Sequence, residues 1–343
     1  MMKDYERYID FIIDVEAGSE VRVLQLTDTQ IIDASQRRYE SRLNEKERAF
    51  WAKENMEERV FRHIREAVAR AKPHLIILTG DLVYGEFDDK GTSFQAFVEH
   101  MDSYRIPWAP IYGNHDNESR MGAVWQNQQL IEAKYCLFRK GDTDGNGNYT
   151  VGIRQGEEII RIFYMLDSNA CAGAYQAAEN GVSTSHGFTE NQLKWLYGKM
   201  EKCTKSNGGK PLSSSLCWHV PTNEFVLANN QYYQQKKTFT IDIDVVGVNG
   251  DFGSLKETDG IKSPFAVMDL DGRNFLEQLK KYGVDSAFVG HSHCVNTSIL
   301  YEGIRWTFGL KTGEYDRYTE GETGGTLITL DGATLSVRHL YIS

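Results

Sequence analysis

Five short clusters hold the side chains of this sequence that could do chemistry together: Thr27-Asp28-Thr29-Gln30, Gly80-Asp81, Gly113-Asn114-His115-Asp116, His219, and Gly290-His291-Ser292-His293. Their types suit a pair of divalent ions. Carboxylates bring negative charge and one of them can bridge, while neutral imidazoles fill the remaining positions of borderline metals such as Zn, Mn or Fe. Asn114 offers a carbonyl oxygen, and His115 beside it is a candidate to protonate a leaving oxygen. Two such ions, about 3.5–4 Å apart, hold a phosphoryl oxygen and bring the pKa of a bridging water towards neutrality. Gly80, Gly113 and Gly290 let the backbone turn sharply and come close to the ions. Taken singly, each residue has a plainer reading: Asp28 or Gly80-Asp81 as a turn, Asn114 as a left-handed turn residue, His115 as a surface histidine, His219 as a core histidine. Their order and joint placement favour ligation.

A series of strands must position these clusters. Apolar, β-rich runs alternate with amphipathic stretches, with no internal repeat and no Pro/Ser-rich linker, which predicts an α/β fold of stacked layers. Strands are expected at 8–15, 21–27, 74–79, 108–112, 135–138, 149–153, 159–166, 214–218, 285–289, 296–301, 305–308, 326–330 and 334–340. Helices are expected at 45–72, 94–104, from about 121, at 189–202, near 225–235 and at 272–282, the first of them stopped by Pro73. Each cluster falls just beyond a strand, and ligands of open α/β sheets gather beyond the carboxyl ends of strands. The chain reads as one domain over 1–343 with its core from about residue 20 and long polar stretches at 30–44, 168–189 and 236–263. Loops of that length inside a compact domain commonly carry function.

The charge balance narrows the partners. With 38 basic against 48 acidic residues, a formal net of −10, the chain has no overall electrostatic footprint for nucleic acid. The densest basic stretch, 59–72, alternates with Glu and apolar residues and reads as a solvated helix face. No run approaches the roughly 18 apolar residues of a membrane span, and the first residues lack the apolar core of a secretory signal. Cys136, Cys171, Cys203, Cys217 and Cys294 are odd in number, scattered and without a C-x-x-C, the usage of a reducing cytoplasm. A small-molecule partner in the cytoplasm is therefore expected, with neither nucleic acid nor membrane, and no oligomeric state is implied. Asp142 to Asn148 opens like a calcium loop, but Ile153 stands where a bidentate Glu is required, so a Gly/Asn-rich turn is expected. His186 reads as a surface histidine, and Asp167-Ser168 as either a turn or a support for a ligand histidine.

The ordered set Asp28, Gly80-Asp81, Gly113-Asn114-His115-Asp116, His219 and Gly290-His291-Ser292-His293 resembles the calcineurin-like metallophosphoesterase superfamily, whose pattern runs D-x-H, GD, GNHD/E, H, GHxH. Gly80-Asp81-Leu82-Val83-Tyr84 is similar to the G-D-x-x-Y of purple acid phosphatases, and His219 to Glu224 to the H-x-P-x-x-E of their small intracellular relatives. The resemblance covers residues 20–343 and implies a four-layer αββα fold, two packed mixed sheets flanked by helices, around two divalent ions (Mn, Zn or Fe). It implies that Asp81 bridges the ions, that Asp28 and His293 bind the first, that Asn114, His219 and His291 bind the second, and that His115 contacts the phosphate or leaving group. The implied reaction is hydrolysis of a phosphate ester by a hydroxide between the ions, a monoesterase first. A diesterase acting on a cyclic-nucleotide or phospholipid-type diester is the alternative, and a non-catalytic interaction module on the same fold a more distant one. One position departs from the pattern: Gln30 stands where relatives have histidine or glycine. Residues i and i+2 of an extended segment share a face, so we read the Gln30 amide oxygen as a weak ligand beside Asp28. Tyr84 is the alternative ligand, which would bring Fe(III) and a visible charge-transfer colour, with Asp116 alongside it as an alternative or supporting group.

Overall fold

Two sheets of unlike size are built from short apolar strands whose carboxyl ends converge. The computed structural model describes residues 3–36, 45, 56–171, 177–178, 187–237, 245–246, 275–314, 318–332 and 334–342. The chain order of strands is β1 (Phe11–Val15), β2 (Val21–Leu26), β3 (Leu75–Thr79), β4 (Trp108–Ile111), β5 (Tyr149–Gln155), β6 (Glu158–Met165), β7 (Ser214–Cys217), β8 (Val245–Val246), β9 (Val284–Val289), β10 (Ser298–Tyr301), β11 (Ile304–Phe308), β12 (Thr323–Asp331) and β13 (Thr334–Ile342). They form a five-stranded sheet, β13-β12-β2-β3-β4, and an eight-stranded sheet, β1-β5-β6-β7-β9-β11-β10-β8. Both are mixed: β2, β3 and β4 run parallel, as do β6, β7, β9 and β11, while β12–β13, β5–β6 and β10–β11 are antiparallel.

Strands β3 and β4 are apolar on both faces because both faces are covered; every residue of the two is buried. Helix α1 (Met56–Ala71) lays Val60, Ile64, Ala67 and Val68 on the smaller sheet, where it meets β2, β12 and β13. Helices α2 (Thr92–Ser103) and α3 (Gly122–Glu132) pack on each other. On the larger sheet, α4 (Glu190–Ser206) packs against the 3-10 turn Asp4–Tyr8, α5 (Asn223–Lys237) against β10 and β11, and α6 (Phe275–Lys281) against β9. Between the sheets, Tyr149 Oη donates to the Pro110 carbonyl at 2.6 Å and Gln25 Nε2 to the Val289 carbonyl at 3.0 Å. The result is the expected helix–sheet–sheet–helix sandwich.

Two element expectations need correction, and a third is seen in part. The first strand begins at Phe11 rather than at residue 8, because Ile9 N bonds back to Glu6 to close a 3-10 turn and the Asp10 carboxylate is held by Thr150. Residues 135–138 make no strand: only Cys136 bridges Trp108, since the next donor position of β4 is Pro110, which has no N–H. The Asp102 carboxylate instead gathers the amides of Lys134 and Tyr135 with Trp108 Nε1. The helix expected over 45–72 is seen as Met56–Ala71, residues 46–55 lying outside the described ones. Most of the polar stretches 30–44, 168–189 and 236–263, His186 included, also lies outside the described residues.

Candidate metal centre

The smaller sheet delivers one acidic or amide residue from each of three neighbouring strands: Asp28 beyond β2, Asp81 beyond β3 and Asn114 beyond β4. The larger sheet faces them with histidines, His219 beyond β7 and the His291/His293 pair beyond β9. Leaving a strand this abruptly takes uncommon backbone: Asp28, Gln30, Asp81 and His291 have φ of 50°, 44°, 52° and 68°. Non-glycine residues with positive φ cost energy, and they persist where the surrounding structure over-determines them, commonly at functional sites. Here the determinants are backbone bonds, Asp28 N to Gly80 O at 3.0 Å and Gln30 N to Asp81 O at 2.9 Å. Glycine is required where the strand ends touch. A Cβ on Gly113 would stand 2.1 Å from Asp81 Oδ1, and one on Gly80, at φ 92°, would stand 2.5 Å from His219 Nδ1.

Donor atoms of Asp28, Asp81 and His219 all lie within 4.8 Å of one another, and all three residues are buried. His293 Nε2 is 3.2 Å from Asp28 Oδ1, and His219 Nε2 is 3.3 Å from Asp81 Oδ2. Asn114 Oδ1 sits between His219 Nε2 at 3.1 Å and His291 Nδ1 at 2.9 Å. The far side of His219 is fixed by its Nδ1, 2.7 Å from the Thr79 carbonyl, the kind of outer bond that orients a ligating imidazole. Asp28 also accepts from Thr27 Oγ1 at 2.8 Å and from the His291 amide.

The charges agree with the geometry. Burial would raise Asp28, but the His293 hydrogen bond and charge, with His219 and Lys311, hold it down to about 2. Asp81 is likewise buried, and His219 and His115 keep it well below the ordinary carboxylate range. Burial opposes a charge on His219, yet Asp81 draws it up to about 9, whereas burial and the His219 charge push His291 down to about 3. Two ionised, buried carboxylates among three imidazoles and a carboxamide oxygen form a donor set that fits a pair of borderline divalent ions.

The remaining predicted residues, Gln30, Tyr84 and Asp116, stand nearby. Gln30 is buried between the two carboxylates' loops, its Nε2 donating to Asp81 Oδ2 at 3.2 Å and standing 3.3 Å from His293 Nε2. Its oxygen, the atom that would have to face an ion, accepts from Lys311 Nζ at 2.5 Å. Tyr84 packs its ring on His115 with centroids 4.1 Å apart and meets Phe87 edge-on. Asp116 takes the Gly113 amide at 2.7 Å and the Val83 amide at 3.0 Å, so both of its oxygens brace the loops that carry Asn114 and Asp81. Burial, then the neighbouring Asp81, raises it to about 8. Asp167 accepts from the amides of Asn146 and Asn169, while Ser168 accepts from the Val220 amide next to His219.

Two residues in this site escape a reading of motifs. Glu118 is fully buried and holds His115 Nδ1 at 2.9 Å; an acidic residue three positions after a histidine in a tight turn was the available signal. Lys311 had none, since it reaches Gln30 from 281 positions away.

Residues 21–295 match the model of the family described as calcineurin-like phosphoesterase. The chain is 24% identical over 278 residues to a probable inactive purple acid phosphatase 29 of Arabidopsis thaliana, covering 75% of this chain and 63% of that protein. It is 24% identical over 242 residues to phosphatase DCR2 of Saccharomyces cerevisiae, covering 67% of this chain and 38% of that protein. It thus spans less than two thirds of either relative. A dimetal phosphatase structure from Danio rerio aligns over 92% of this chain and 98% of its own, with a TM-score of 0.47 and 12% identity.

Proposed function

Because the chain belongs to the calcineurin-like phosphoesterase family, we propose that it hydrolyses a small-molecule phosphate ester, a monoester first, at a two-metal centre. The carrying observation is the convergence of Asp28, Asp81 and His219 from both sheets to within 4.8 Å. In this reading Asp81 is shared between the ions, Asp28 and His293 hold one, and Asn114, His219 and His291 hold the other. The pairing of His293 with Asp28, and the seat of Asn114 between His219 and His291, support that division. When bound, a pair of Mn, Zn or Fe ions supplies Lewis acidity at a phosphoryl oxygen and a nucleophile at neutral pH. His115 is the general acid for the departing alcohol. Its Nδ1 is committed to the buried Glu118 carboxylate, which fixes the ring's orientation. Tyr84, tilted over the ring at 34° with centroids 4.1 Å apart, limits its rotation.

The plant relative's name carries the word inactive, the yeast relative's the word phosphatase. Here His115 and the donors at Asp28, Asp81, Asn114, His219, His291 and His293 all stand together, which favours the catalytic reading. None of the five cysteines is in a disulfide, and among the described residues no helix is long and apolar enough to cross a membrane; we take the cytoplasm as the compartment on the cysteine usage.

The test is turnover of p-nitrophenyl phosphate against bis-p-nitrophenyl phosphate and p-nitrophenyl phenylphosphonate with Mn2+ or Zn2+, together with elemental analysis. We expect the monoester to be preferred and Asp81→Asn to abolish both turnover and metal uptake. Preference for the diesters would move the assignment to a phosphodiesterase. Metal uptake with no turnover of any ester would make the chain a binding module.

A further inference from the structure

Gln30 and Lys311 form a buried pair, 0% and 1% exposed, at the edge of the position between Asp28, Asp81 and His293. An ammonium can only donate, and this one donates to Gln30 Oε1 at 2.5 Å and to the Asp28 carbonyl at 3.2 Å. A carboxamide has one accepting end and one donating end. With the oxygen committed to Lys311, the donating end is turned to Asp81 Oδ2 and His293 Nε2. The reversed amide would set N–H against the ammonium and oxygen against the Asp81 carboxylate, two like-signed contacts where low polarity magnifies both. The ammonium is anchored by its own segment: Thr312 N bonds Thr27 O at 2.9 Å, Gly313 N bonds Asp28 O at 3.2 Å, and Gly324 N bonds Lys311 O at 2.8 Å. A cation needs a lone pair, and what Gln30 presents is an N–H.

Resting on the two-metal reading above, we infer that Lys311 converts Gln30 from a ligand into a positioning donor for Asp81, leaving the ion held by Asp28 and His293 the weaker of the two. That ion lacks a protein donor at the place of Gln30 and has a fixed positive charge beside it. Among the described residues, nothing gives the ion held by Asn114, His219 and His291 either handicap. The two ions therefore load in order, the Asn114/His219/His291 position first, and the centre passes through a one-metal state as metal concentration falls.

The experiment is a titration of the metal-stripped full chain with Mn2+ alone, read by calorimetry and by Mn2+ paramagnetic resonance rather than by turnover. The unaltered protein should take up two ions in steps separated by about tenfold or more in affinity, and Asp28→Asn should delete the weaker step. Lys311→Met should tighten the weaker step by about tenfold or more, the scale of changes around a metal's outer contacts, with the stronger step moved less than about threefold. Gln30→Glu gives the ammonium one oxygen and the ion another, so it should tighten the same step and serves if Lys311→Met does not fold. Two equal steps, or a weaker step left unmoved or weakened in the variant that folds, would overturn the inference while leaving the two-metal reading intact. Absence of Mn2+ uptake by the unaltered protein would overturn both.

Discussion

At Asp28 and Asp81, burial by itself would favour the protonated acid, yet the facing histidines keep both ionised. Such carboxylates are costly without a partner, and a divalent ion is the strongest partner a folded chain can recruit. The spacing leaves little room for adjustment. Gly113→Ala puts a methyl carbon within 2.1 Å of Asp81 Oδ1, so the carboxylate must move. We expect this variant to fold but to lose at least about tenfold in Mn2+ affinity, measured by titration, in line with disturbance of a ligand's immediate support. In the proposed reading His115 acts on the substrate rather than on the ions. His115→Ala should lower kcat by about 10²–10⁴, the range for a lost general acid, with metal content unchanged by elemental analysis. Glu118→Gln keeps the hydrogen bond to Nδ1 but removes its charge and should cost about tenfold in kcat. An equal loss of metal in either variant would assign His115 or Glu118 to the metal pocket instead.

At the scale of elements, the strand ends were readable because apolar runs stop at polar clusters, and because parallel strands covered on both faces leave continuous apolar runs at 75–78 and 287–289. The ligating types stand within a few residues of those ends, so local order along the chain was enough to find them. What stayed hidden is set by distant packing. Lys311 enters the site from a segment after β11 that has no motif of its own, and residues 135–138 look like a strand until Pro110 on the strand beside them denies them a ladder. The seam between α1 and α2 is another such feature. There His100 stacks on Phe61 with centroids 4.1 Å apart and its Nε2 lies 2.9 Å from Tyr104 Oη. Burial, then Arg65, pushes His100 down to about 4, below the roughly 6.5 of an unfolded chain. The unfolded chain therefore takes the proton first. The stabilisation from the neutral ring is complete above pH 6.5 and is lost as pH falls through about 4. Allowing for its partial exposure, urea unfolding at pH 4.5 and pH 7 should differ by about 2 kcal/mol from this source. His100→Gln should remove that share of the difference, and an unchanged pH dependence would place the titration elsewhere.

For the molecule as a whole, the site is a junction between two sheets that otherwise meet through apolar packing and a few bonds such as Gln25 to Val289. Asp28, Asp81 and Asn114 belong to the smaller sheet, and His219, His291 and His293 to the larger. Ions held by both sets would tie the carboxyl ends of β2, β3 and β4 to those of β7 and β9. Binding that favours the native state adds about 2.7 kcal/mol per ion at a hundredfold excess over Kd. With an unfolding entropy of about 2.1 cal/mol/K per residue, a chain of 343 residues gains roughly 1.4 °C per kcal/mol. Mn2+ at that excess should therefore raise Tm by about 4 °C for one ion and about 8 °C for two, and EDTA should reverse it. Because the gain comes from joining the sheets, hydrogen exchange on chelation should accelerate together at 28–31 and 81–83 on one side and at 218–220 and 290–293 on the other. Asp81→Asn, which removes the shared carboxylate, should abolish both the Tm shift and the paired change. A shift in exchange confined to one sheet would mean that the ions are held on that side alone, and the junction would then have to be ascribed to packing.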